Sequence, residues 1–231
     1  MAIYTPRKVP INWYRFDIKF AIELLEAFVK NVENQVKSGI QNFVDKKETF
    51  ILEEHPEEKS AKIVDVHEGL NSEMWDLNSI FKEHFPNLQR RSAFISLYGF
   101  LEHELDKLCT LFKETEHYKI DLKDFNDSGI VRSIKYLNKV ANLPIDKDDK
   151  RLQTVKSLQK IRNVIVHNDG ELTGIDGKIR PNEFAYVQQN EFLSGDKEII
   201  LNEGFLFYVL DSFHDLFKYL DELIQKHESL Y

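Results

Sequence analysis

Apolar residues recur at steps of three and four along most of this chain, and turn-forming residues interrupt them at a few places. Over 13–46 the stripe Leu25, Phe28, Val29, Val32, Val36, Ile40 and Phe43 predicts a long first helix. The charged stretch EEHPEEKS around Pro56 ends it, because proline removes a backbone donor and disfavours helix in the residue before it. A second helix is predicted over 61–84, with Ile63, Val66, Leu70, Met74, Leu77 and Phe81 inward and Pro86 closing it. The third, 88–116, places Phe94, Tyr98, Leu101, Leu105, Leu108 and Phe112 in alternating steps of four and three, a packing seam. Glu102 lies beside that seam, in line with Ile95 and Cys109, and calls for a partner there.

A shorter helix follows to about residue 142, capped by Asp127 or Ser128, with Ile130, Ile134, Leu137 and Val140 inward and Pro144 beyond it. The fifth helix, 149–167, stops at Gly170. Gly174, Gly177 and Pro181 then mark turns, and 183–201 reads as two strands, FAYVQQNEF and EIIL, around Ser194-Gly195-Asp196. The last helix, 203–228, turns Phe207, Leu210, Phe213, Phe217, Leu220 and Ile224 inward. The pattern predicts a single all-α domain over 1–231: an up-and-down bundle of about six helices, with a turn-rich β-hairpin at 171–201 between the fifth helix and the last.

Composition narrows the partners. With 31 basic residues against 39 acidic ones the formal charge is -8, so any nucleic-acid contact has to be local. The single cysteine, Cys109, cannot form an internal disulfide and suits a reduced, buried thiol, which favours the cytoplasm. The N-terminal MAIYTPRKVPINWYRF lacks the apolar core of a signal peptide, and the run Phe205 to Leu210 is too short to span a bilayer. Eight histidines give no HExxH and there is no cysteine pair, so no metal site and no cofactor are expected; His67-Glu68 and His103-Glu104 read as exposed helix positions. The glycines near Gly177-Lys178 lack the phosphate-loop spacing, with Leu172 and Ile179 at its glycine and hydroxyl positions.

The chemistry concentrates in KIRNVIVHNDG, 160–170. On a helical wheel Leu152, Val155, Leu158, Ile161, Val164, Ile165 and Val166 form a broad apolar arc. Lys156, Lys160, Asn163 and His167 form one polar stripe. Arg162 falls inside the apolar arc, where its charge and five donors need a carboxylate such as Glu102, a second subunit or an anionic ligand. About 140° and roughly 7.5 Å of rise separate Arg162 from His167 on an ideal helix, so one straight helix does not point them at each other. Histidine moves protons near neutral pH and guanidinium matches paired phosphate oxygens. A purely structural account also exists, since a histidine at a helix C-terminus is stabilised by the helix dipole and an arginine can snorkel from a core edge.

The segment IRNVIVHNDG resembles the signature of the HEPN superfamily (higher eukaryotes and prokaryotes nucleotide-binding), an arginine, a polar residue, three variable residues and a histidine, met here by Arg162, Asn163 and His167. The stretch RRSAFISLYGFLEHELDKL, with Glu102 projecting from it, is similar to the helix that precedes this motif in bacterial members. The likeness spans 87–230 and leaves 1–86 as a two-helix extension. It implies a metal-independent endoribonuclease acting as a homodimer, a toxin or antiviral defence effector with an antitoxin or defence-system partner. In that reading His167 serves as general base or acid, Arg162 stabilises phosphoryl charge, Asn163 orients His167, Glu102 supports the site, and Lys156 and Lys160 guide the RNA. The alternative within the superfamily is a non-catalytic dimer that scaffolds, regulates or binds nucleotides.

Overall fold

A computed structural model of the chain describes residues 12–55, 60–174 and 177–228. Most of them are helical. A π-helical turn, Tyr14–Ile18, leads into α1, Lys19–Lys46. Its buried stripe is Ile22, Val29, Glu33, Val36 and Phe43, whereas Phe28, assigned inward by periodicity, is 39% exposed. Strands β1 (Glu48–His55), β2 (Ser60–His67) and β3 (Leu70–Asn71) form an antiparallel sheet in that order. A short turn of helix, α2 (Leu77–Ser79), and a π-helical segment, Ile80–His84, run into α3, Phe85–Glu116.

The second predicted helix is therefore wrong over 61–76, where two strands and a turn stand, and "all-α" overstates the fold. Ile63, Val64 and Val66 are β-branched and pair with β1 in a hairpin whose register shifts between Ile51 and Glu53. Of the six residues assigned inward, Ile63 and Met74 are exposed, and Pro86 opens α3 instead of ending a helix. His67 is buried, packed edge-on against Phe43 and Phe81 with ring centroids at 5.2 and 4.7 Å. This small aromatic cluster seats the hairpin on the end of α1.

Helix α4 (Gly129–Lys139) follows Ser128, and α5 (Lys150–Asn168) follows Asp149. The predicted strand FAYVQQNEF is instead α6, Pro181–Gln189, opened by Pro181 and packed through Phe184 and Val187, one turn apart. The hairpin survives only as β4 (Leu193–Ser194) against β5 (Ile200–Leu201). Helix α7 (Phe205–Glu228) completes the chain.

Helices α3 and α7 touch each other, and each packs against both α1 and α5. The predicted seam of α3, Phe94 to Phe112, is buried at every position. Because Ile18, Ile22 and Val29 share this core, α1 belongs to the bundle and is no appendage to it. Three polar residues at the start of α3 fix the β4–β5 segment. Asn87 donates to Ile199 O at 3.1 Å and accepts from Leu201 N at 2.9 Å. Arg90 grips both carboxylate oxygens of Glu33, at 2.8 and 2.9 Å, and reaches Leu201 O. Arg91 donates to Ile199 O and pairs with Glu198.

The Glu33–Arg90 pair is nearly dry, with side chains 6% and 10% exposed. Removing one partner strands a buried charge, so Arg90→Leu should cost about 3–5 kcal/mol in urea unfolding, and the double variant Glu33→Leu/Arg90→Leu much less.

Candidate functional site

The site is assembled where α5 leaves the core. At its start Asp149 caps the helix, accepting from Arg151 N at 2.9 Å and taking two bonds from the Arg151 guanidinium. At its end Asp169 and Gly170 turn left-handed, with φ 48° and 79°, and their amides return to Val164 O. Gly170 is required for a second reason. A Cβ there would stand 2.1 Å from Arg91 Nη2, whose guanidinium lies on the turn and donates through Nη1 to Asp169 O at 3.0 Å. Arg91 thus ties the end of the motif helix to α3.

Arg162 sits at the α3–α5 contact with 26% of its side chain exposed. Nη2 is 3.6 Å from Glu102 Oε2, an ion-pair contact too long for a good hydrogen bond. Nη1 donates to Asn163 Oδ1 at 3.0 Å, and the guanidinium carbon lies 5.9 Å from the centre of the Tyr98 ring. The buried Nε has no hydrogen-bond partner. The carboxylate foreseen for Arg162 is therefore Glu102, and Tyr98, read only as a seam residue, is its second contact. Burial raises the Tyr98 hydroxyl pKa above its ordinary value, the Glu102 charge adding to this, so the ring stays neutral beneath the guanidinium. Glu102 in turn lies under the start of α4, where a Cβ on Gly129 would come within 2.6 Å of Oε1; the positive end of that helix favours a carboxylate.

His167 and Asn163 are exposed. His167 makes no hydrogen bond or ion pair with the described residues, and Arg162 and His167 do not meet within one chain. Asn163 differs from its expected part, because its amide oxygen is held by Arg162 and not by the imidazole. Lys156 and Lys160 open into different depressions, Lys156 beside α4 and Lys160 into a cleft with Asn182, Tyr186 and Gln189 of α6. They do not form one continuous track.

Elsewhere, Cys109 is buried, its thiol pKa raised by burial, and Sγ approaches Ser133 O at 3.5 Å. Glu104, expected on the surface, is buried and bonded to Lys107, while His103 is exposed as expected. No described helix is long and apolar enough to cross a membrane. Sequence reasoning missed Arg91, Tyr98 and Gly129 as supports of the site. The doublet Arg90-Arg91, on the same side of α3 as Phe94 and Tyr98, was the available signal. No family model, curated protein or solved structure matches the chain.

The bonds from Arg151 hold the Asp149 carboxyl below the usual aspartate range. A depressed carboxyl stabilises the fold fully above its unfolded pKa of about 3.9, and that contribution fades as pH falls through the folded value. Asp149→Asn should therefore keep the cap yet lose less stability than the parent on acidification from about pH 4. Asp149→Ala should cost about 1 kcal/mol at neutral pH, both read from urea unfolding midpoints.

Proposed function

We propose that this chain is a metal-independent endoribonuclease of the HEPN type, a toxin or antiviral defence effector whose site is completed by a second copy of itself. The observation that carries the reading is the division of labour on α5. Arg162 is fixed by Glu102, Asn163 and Tyr98 at the α3–α5 contact, while His167, one turn and a half further on, is exposed and has no partner among the described residues. A fixed cation and an unengaged imidazole are what 2'-hydroxyl attack on a phosphodiester requires. The imidazole takes the hydroxyl proton, the 2'-oxygen bonds to phosphorus, and the 5'-oxygen leaves with a proton. The guanidinium stabilises charge on the non-bridging oxygens. The products carry a 2',3'-cyclic phosphate and a 5'-hydroxyl. Since the two groups do not meet within a chain, the reading places Arg162 of one copy beside the His167 of another across a two-fold axis.

One observation favours the non-catalytic alternative, a dimer acting as a scaffold, regulatory or nucleotide-binding module. The two lysines expected to steer RNA face separate depressions, and the net charge is -8. Cleavage decides between the two.

With excess EDTA present, the purified protein should cut single-stranded RNA and leave cyclic-phosphate ends. His167→Ala and Arg162→Ala should each slow cutting by ~10²-fold or more. No cutting by the native chain, or equal cutting by the His167→Ala variant, supports the scaffold reading instead.

A further inference from the structure

Between α4 and the first turns of α5 lies a partly enclosed cavity of about 280 Å³. Its inner wall is aliphatic: Ile130 and Ile134 from α4, Ile145 from the connecting loop and Leu152 from α5, all buried. Val131 stands at its edge, 40% exposed. Lys135, Lys139, Lys147 and Lys156 make up most of the polar lining, beside Asn138, whose amide donates to Leu143 O and Ile145 O. Asp127 is the one acidic residue in the lining, and Lys135 already holds it. Lys139, Lys147 and Lys156 have no carboxylate partner among the described residues. In a chain with eight more acidic than basic residues, three such lysines around one apolar cavity are a local reversal of charge.

Each lysine alone has an ordinary explanation. Lys139 ends α4, where a cation suits the helix dipole, and Lys147 is a solvated loop residue. Their convergence on one hole does not follow from those roles. An apolar ligand alone would leave the cations idle. A bare phosphate or an RNA backbone would leave the aliphatic wall against water, and the lining offers no aromatic ring on which a base could stack. The complementary molecule has an alkyl chain for the wall and an anionic head for the rim. We propose that this cavity binds an amphiphilic anion, a medium-chain alkyl group ending in a carboxylate or phosphate, with its head held by Lys139, Lys147 and Lys156. At about 30 Å³ per methylene, close to the volume of a liquid water, the cavity takes a chain of roughly nine carbons. This assignment uses neither Arg162 nor His167; it shares only Lys156 with the ribonuclease reading, and the charge reversals that test it leave Lys156 in place.

Isothermal titration of the full chain with decanoate, decyl phosphate and decanol, each below its micelle concentration, tests it. At least one of the two anions should bind saturably at one site per chain and raise the melting temperature, with decanol at least tenfold weaker; the tighter anion identifies the head group. Lys139→Glu/Lys147→Glu, both exposed positions, should weaken anion binding at least tenfold while circular dichroism stays unchanged. Val131→Trp should block it. Absence of saturable binding by either anion, equal binding of decanol, or binding indifferent to the charge reversal would each overturn the proposal. So would a single-stranded RNA oligomer whose binding falls with Lys139→Glu/Lys147→Glu while neither alkyl anion binds, because the lysines would then serve RNA.

Discussion

A guanidinium cannot shed its charge, so α5 can press its apolar arc into the core at Arg162 only where a neighbour offers compensation. Helix α3 offers it one turn apart on a single face, the carboxylate of Glu102 and the ring of Tyr98. The buried arc of Leu152, Val155, Leu158, Ile161, Val164 and Ile165 sets the rotation of α5, and the Arg162 contact has to be met within it while Asn163 and His167 emerge on the exposed side. With about a quarter of each side chain exposed, the ion pair itself contributes no more than ~1 kcal/mol. Its larger consequence is orientational: the cation is held where it need not reorganise to meet an anion.

The same helix carries the second constraint. Asn87, Arg90 and Arg91, at the opposite end of α3 from Phe112, bind the backbone of Ile199 and Leu201 and the turn after α5. The bonds to Ile199 and Leu201 are buried, where a backbone polar group needs a partner, whereas the bond to Asp169 O is only partly so. Gly170 lets the Arg91 guanidinium lie flat against the turn that follows His167. The position of His167 thus depends on a glycine, on a buried arginine and on the aliphatic packing of Val164 and Ile165, none of which takes part in chemistry.

Long helices were legible in the sequence because their periodicity is redundant. The seam of α3 repeats over six positions, and 149–167 is framed by a capping aspartate and a stopping glycine. The errors fall where a short apolar run fits two periods. KIVDVH alternates like a strand, yet Ile63, Val66 and Leu70 also keep helical steps, and the deciding contact, His67 against Phe43 and Phe81, is distant in sequence. FAYVQQNEF failed the other way, its aromatic and β-branched content outweighing the signal of Pro181 at a helix start. At the site, the wheel separated Arg162 from His167 and named Glu102 as a candidate partner. It did not find Arg91: the doublet Arg90-Arg91 on the Phe94 side of α3 signals a buried cation, but its partners are backbone carbonyls of Asp169 and Ile199, which no residue type in the sequence marks.

In the proposed enzyme a cation fixed in one chain works with an imidazole exposed on another. Mixing inactive His167→Ala and Arg162→Ala chains under conditions that exchange subunits tests it directly. If the two groups act across the two-fold, half of the random dimers are mixed and each has one intact site, so about a quarter of the parental RNA-cleaving activity should return. No recovery from a mixture shown to contain heterodimers, with the parent chain active, would contradict it.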